Sequence, residues 1–102
     1  MTSGYVGILD FEIHIPHSRS LKEKRRHVLS TKARLERMLG ASVAEVGDHE
    51  LWQRSRLALS VVRREAREVE RALDQAERYL SSQEYELVRA SARLLSVEEA
   101  IG

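Results

Sequence analysis

Pro16-His17-Ser18-Arg19-Ser20-Leu21-Lys22-Glu23-Lys24-Arg25-Arg26 is the stretch on which the reading of the chain turns. Before it, residues 4–15 alternate, with Tyr5, Leu9, Phe11, Ile13 and Ile15 on one side and Val6, Ile8, Asp10, Glu12 and His14 on the other. A period of two over that length is a strand with one buried face. Pro16, which has no amide to give a ladder, ends it. Ser20 and Glu23 are then spaced as a capping box, in which the hydroxyl caps an early helix amide and the carboxylate reaches back. A helix is predicted over 21–39, with Leu21, Val28, Leu35 and Leu39 on its apolar stripe. The stretch is therefore a strand-to-helix junction, and it gathers Arg19, Lys22, Lys24, Arg25 and Arg26 around the first helical turns.

Gly40 stops the helix, and 41–46 reads as a second strand, broken by Gly47-Asp48. Leu51-Trp52 falls in a connection before a third strand over 54–63, where Leu57, Leu59 and Val61 alternate with Arg56, Ala58 and Ser60. A second helix over 65–81 turns Val69, Leu73, Ala76 and Leu80 inward, and Ser81-Ser82-Gln83 breaks it. The last strand, 85–97, slips in its apolar phase, which predicts a bulge; the tail from Glu98 is expected to fray. Strand, helix, strand, strand, helix, strand is a split pair of βαβ units. Right-handed crossovers give sheet order 4-1-3-2 with both helices on one face, a ferredoxin-like α+β sandwich. One domain is expected over 1–102, its core about 4–97.

With 102 residues, 42% apolar and 32% charged, the chain has the composition of a folded domain that buries about two-thirds of its unfolded surface. It has no cysteine, which excludes disulfides, thiolate zinc sites and cysteine nucleophiles. No apolar run approaches the roughly 20 residues of a membrane span and the start lacks a secretory pattern, so a cytoplasmic protein without a membrane partner is expected. Asparagine is absent and 14 of the 17 basic residues are Arg, a composition that suits a thermostable protein. The net charge of +1 hides a segregation: 18–37 holds eight Lys or Arg against two Glu, and 65–80 holds five acids against three Arg. Asymmetry of this kind orients an anionic partner toward one end.

Three motifs in one order and spacing, Ser20-Leu-Lys-Glu-Lys-Arg25, Ser42-Val-Ala-Glu-Val-Gly-Asp48 and Leu51-Trp-Gln-Arg54, make the chain resemble the YlxP-like family of small bacterial proteins over residues 4–97. The resemblance implies a ferredoxin-like domain of unknown function. It also implies a gene often found beside translation-initiation and ribosome-maturation genes, and a role around RNA or the ribosome.

The function expected is a non-enzymatic module that contacts RNA or a ribosomal particle. Arg19, Lys22, Lys24, Arg25 and Arg26 are the candidate phosphate contacts, and Trp52 and Arg54 the further ones. Lys24, Arg25 and Lys32 fall near the apolar stripe, where long stems lie on the core edge and carry the charge outward. Glu23 counts against the site, since its carboxylate occupies the helix N-terminus that a phosphate would take. The alternative is a solvated face whose cations pair with Glu23, Glu36 or the acidic second helix.

The open sheet face, Val6, Ile8, Asp10, Glu12 and His14 beside Arg56, Ala58, Ser60 and Val62, has no aromatic residue and so no RNA-stacking platform. Asp10 and Glu12 are expected to pair across strands with Arg56, Arg89 or Arg93. Val6, Ile8 and Val62 leave an apolar portion that a homodimer would bury. Trp52 is expected to cap the end of the core, ahead of a role as stacking platform or partner anchor. Asp48 is expected to hold an arginine or to cap its turn.

His14, His17 and His49 raise a metal reading. In a 4-1-3-2 sheet, however, the end of the first strand is expected beside the start of the second rather than its end, so neither metal nor cofactor is expected. Acylphosphatase-like proteins share the topology and use an Arg after the first strand with an Asn that positions water. Arg19 matches the first and nothing matches the second, which leaves phosphate-ester hydrolysis a distant third reading.

Overall fold

The computed structural model describes residues 4–102. Its elements run β1 (Tyr5–His14), α1 (Leu21–Leu39), β2 (Ser42–Gly47), β3 (Arg54–Arg63), α2 (Ala66–Ser81), β4 (Glu86–Ser96) and α3 (Val97–Ile101). The four strands form one antiparallel sheet in the order β2-β3-β1-β4, with the helices packed on it, so the architecture is the ferredoxin-like α+β sandwich. Leu9, Phe11 and Ile13 of β1 and Leu57, Leu59 and Val61 of β3 are buried beneath Val28, Leu35 and Leu39 of α1 and Val69, Leu73, Ala76 and Leu80 of α2. Gly7 lies on this inner face, where a Cβ would stand 2.4 Å from Val69 Cγ1. The missing side chain is what lets α2 settle so close to β1. No described helix is long and apolar enough to cross a membrane.

The ends of α1 follow from its flanking residues. Ser20 Oγ accepts from the Glu23 amide at 3.1 Å, and Gly40, at φ 64°, donates its N–H to the Glu36 carbonyl at 2.8 Å. The Glu23 carboxylate reaches one residue further than a capping box requires and accepts from the Arg19 amide at 2.9 Å. At the other end the Arg63 guanidinium meets the Leu39 carbonyl, a cation where the helix dipole is negative. Thr31 and Tyr85 share a buried hydroxyl pair at 2.7 Å between α1 and the start of the last strand; burial pushes the Tyr85 phenol up to about 12 despite the Thr31 bond.

The bulge expected in the last strand falls at Val88, since Leu87 opposes Ile13 while Arg89 opposes Glu12. Beyond it the sequence expectation fails. Residues from Val97 form the short helix α3 and not the end of a strand and a frayed tail. Ser96 and Glu99 cap it reciprocally, Glu99 N donating to Ser96 Oγ at 3.0 Å and Ser96 N to Glu99 Oε1 at 2.9 Å. Two orphan amides are satisfied within four residues, which makes a single turn worth forming.

Candidate nucleic-acid interface

Positions 24, 28, 31 and 35 follow helical spacing on the buried stripe of α1, and Lys24 is 1% exposed there. Its Nζ donates to the Asp48 carbonyl at 2.6 Å and the His49 carbonyl at 3.2 Å, and stands 3.0 Å from Glu45 Oε2. Ser55 Oγ donates to the same Glu45 oxygen at 2.6 Å. Burial alone would raise the Glu45 carboxyl, but the hydrogen bonds from Ser55 and Lys24 and the charge of Lys24 outweigh it and hold the group below its ordinary 4.5. Lys24 is therefore not a phosphate contact, contrary to expectation. Its stem does not lead the charge to water, because three acceptors at the β2–β3 end take up its three N–H bonds.

The other four cations of the junction face outward. Arg19, Lys22, Arg25 and Arg26 are exposed, and among the described residues none of their side chains has an ion pair or hydrogen bond. The pairing with Glu23, Glu36 or α2 that would have neutralised them is absent. Lys22, Arg25, Arg26 and Leu29 recur at helical spacing on one stripe, and Leu29 is exposed in the middle of it. Further along, Arg34 lies over the ring of Tyr79, 5.8 Å from its centroid, a cation–π contact between α1 and α2.

The β2–β3 connection is tied to this junction from both sides. Gln53 Nε2 donates to the Pro16 carbonyl at 3.1 Å and the Ser18 carbonyl at 3.2 Å, and the Ile15 amide donates to the Gln53 carbonyl at 2.7 Å. Lys24 grips Asp48 and His49 from within. Asp48 itself takes a left-handed φ of 61°, which Asp tolerates better than most residues. Its carbonyl accepts from Lys24 and from the Leu51 amide, while its carboxylate acts on Arg56 through charge and helps the Asp10 hydrogen bond to raise that guanidinium.

Trp52 ends up 55% exposed, with Leu51 exposed beside it. It does not cap the core, contrary to expectation; the side chain that meets the loop from inside is Lys24, at Asp48 and His49. Trp52, Leu51, Gln53, His14 and Arg54 together line a surface hollow. Arg54 Nη1 is fixed by Glu12 Oε2 at 2.6 Å, and His14 Nδ1 stands 3.3 Å from Glu86 Oε1. Of the seven residues the sequence pointed to, six thus share one end of the fold, on its surface, and Lys24 lies inside it. Gln53 joins the two halves of the site through three hydrogen bonds to the Ile15–Ser18 segment, contacts that no spacing in the sequence announces.

The geometry behind the metal argument is also different. β1 and β2 each run antiparallel to β3, hence parallel to each other, and Arg56 stands opposite both Glu12 and Gly47. The ends of β1 and β2 are therefore level, not opposed. Even so, His14 turns to Glu86 on β4 while His49 Nε2 lies 3.3 Å from the Glu45 carbonyl on β2. Among the described residues no three His, Asp or Glu side chains gather in a metal-holding group.

On the open sheet face Asp10 pairs as expected, whereas Glu12 takes Arg54 in place of Arg56, Arg89 or Arg93. Arg56 holds Asp10 through two bonds of 3.0 and 2.9 Å, with Arg89 at 3.5 Å, and Arg54 holds Glu12. The Arg56 hydrogen bond keeps the Asp10 carboxyl below its ordinary 3.8, against the opposing effect of burial. The other end of the face is apolar: Val6 lies between Val62 and Leu95, and Ile8 between Ser60 and Arg93.

A four-stranded antiparallel sheet in the order β2-β3-β1-β4 with helices packed on it defines a ferredoxin-like domain of the α+β class. The chain belongs to the family described as protein of unknown function, DUF503, whose model matches residues 6–93. No curated protein matches it. Among solved structures it is similar to the de novo designed protein Foldit4, with a TM-score of 0.57 at 9% identity over 91% of this chain and 97% of that one. The de novo designed protein Ferredog-Diesel matches with a TM-score of 0.46 at 17% identity over 84% of this chain and 83% of that one. At 9% identity the likeness to Foldit4 bears on the fold alone.

Proposed function

We propose that this protein is a non-enzymatic binding module that contacts RNA, free or in a ribosomal particle, through the outer face of α1. The observation that carries the reading is the set of four exposed cations, Arg19, Lys22, Arg25 and Arg26, without a carboxylate partner among the described residues. Unpaired surface cations on one stripe attract phosphates and release their counterions. The resemblance to YlxP-like proteins, with its implied link to translation genes, points the same way.

The test is the salt dependence of RNA binding. Log affinity falls linearly with log salt, and changing Lys22, Arg25 and Arg26 to Ala makes the slope shallower by about 2, from roughly 0.7 per phosphate contact on a single strand. Lys24 is left in place, since its removal disturbs the fold and not the surface. Binding indifferent to salt defeats the reading.

The apolar end of the open sheet favours a second reading, a homodimer. Val62 and Ile8 are exposed there in one patch with Val6 and Leu95. Sedimentation then shows a concentration-dependent dimer that Ile8→Glu converts to monomer; a monomer at every concentration rejects it.

A further inference from the structure

The hollow at the β2–β3 end is built from side chains that the phosphate argument does not use. Trp52 presents an indole 55% exposed, and the loop that carries it is held at both ends. Lys24 anchors Asp48 and His49 from below, and Gln53 is bound to Pro16, Ser18 and Ile15. An exposed aromatic on a loop fixed this firmly loses little freedom when something stacks on it. The hollow beside it is walled by Arg54, which uses one guanidinium nitrogen on Glu12, and by His14, with Leu51 completing the apolar side. Arg54 brings its remaining N–H donors to the rim, and the junction that carries the four unpaired cations follows β1 directly, beyond His14.

We infer that Trp52 stacks an unpaired base of a single-stranded RNA whose phosphates run along Arg19 and the first turns of α1. The inference rests on the RNA reading above and narrows it to a ligand class. A duplex presents only its backbone to such a surface, because its bases are already stacked on one another, whereas a single strand offers a base to the indole and phosphates to the helix. Every base has a π-face, so the site selects strandedness more than sequence. Arg54 and His14 border the stacked base, and Lys24 is a positioning residue: it touches no RNA and holds the loop that does.

Trp52 is the chain's one tryptophan, so its emission reports the contact directly. The experiment compares an oligouridylate with a duplex RNA of equal length, each binding followed by anisotropy of an end label and by quenching of Trp52. The oligouridylate quenches the indole. Trp52→Ala weakens its binding about tenfold with the salt slope unchanged, and Trp52→Phe restores most of the loss. The duplex binds without quenching and is indifferent to both substitutions. Thermal melts of the two variants match the parent protein, since the indole is outside the core. If the oligouridylate binds with the expected salt slope but neither quenches Trp52 nor responds to Trp52→Ala, the stacking inference falls and the basic-face reading stands. If neither RNA binds, the basic-face reading falls and the inference with it.

Discussion

Replacing Lys24 by Met lowers the stability of the folded chain by about 3 kcal/mol, measured as the shift in urea midpoint at constant slope. Met keeps most of the stem, so little of the loss is cavity. The rest comes from the Asp48 and His49 carbonyls, which lose their donor, and from Glu45, which loses its cation while Ser55 alone remains. The effect carries a pH signature. Glu45 is held below 4.5 in the folded state, so its contribution is fully present above the unfolded value and disappears as pH falls through the folded one. In the Met variant that acid-side decline is shallower, because the Lys24 hydrogen bond and charge no longer help Ser55 to hold the carboxyl down. A variant within 0.5 kcal/mol of the parent, by the usual scale of surface substitutions, would mean that water replaces the ammonium and that the lysine is ordinary surface.

Gly7→Ala is the second large effect, a loss of about 2 kcal/mol from a single added methyl group. The new Cβ would come within 2.4 Å of Val69 Cγ1 and 3.2 Å of Leu73 Cδ1, both on the buried face of α2. Neither side chain is the loose end of a surface residue, so α2 must lift or the rotamers must leave their wells. A double-mutant cycle isolates the cause. In a Val69→Ala background the same change costs much less, since the closest methyl has been removed and only the tight contact with Leu73 remains. Additive losses would show that the glycine matters for its backbone and not for the approach of α2.

The features that could be read from the sequence were those with a period. Alternation in β1 and β3, helical spacing in α1 and α2 and the Gly40 stop led to the correct sheet order, since the topology follows once the elements are in place. What went astray was polar and inward. Lys24 sits in the inward phase of α1, and Glu45 in the inward phase of β2 beside Val43. A cation and a carboxylate facing the core from adjacent elements are the trace of a buried pair, but each reads alone as a surface residue with a long stem. Trp52 was misplaced for another reason: an indole in a connection is read as covering the core end, and nothing in its spacing tells that it stays 55% exposed. Ser96 and Glu99 repeat the four-residue spacing of Ser20 and Glu23, yet α3 is one turn long and has no apolar period to draw attention to it.

The place of β4 in the sheet sets an order on folding. It pairs with β1 alone, Tyr5 opposite Ser96 and Glu12 opposite Arg89, so the first strand made waits for the last before that edge is closed. Contacts this distant along the chain require the loop-closure entropy to be met before any ladder bond rewards it. During synthesis, β1, α1, β2 and β3 can assemble while the β4 side of β1 still offers unpaired amides and carbonyls. The interval until Ser96 leaves the ribosome is when the nascent chain is most open to wrong strand partners.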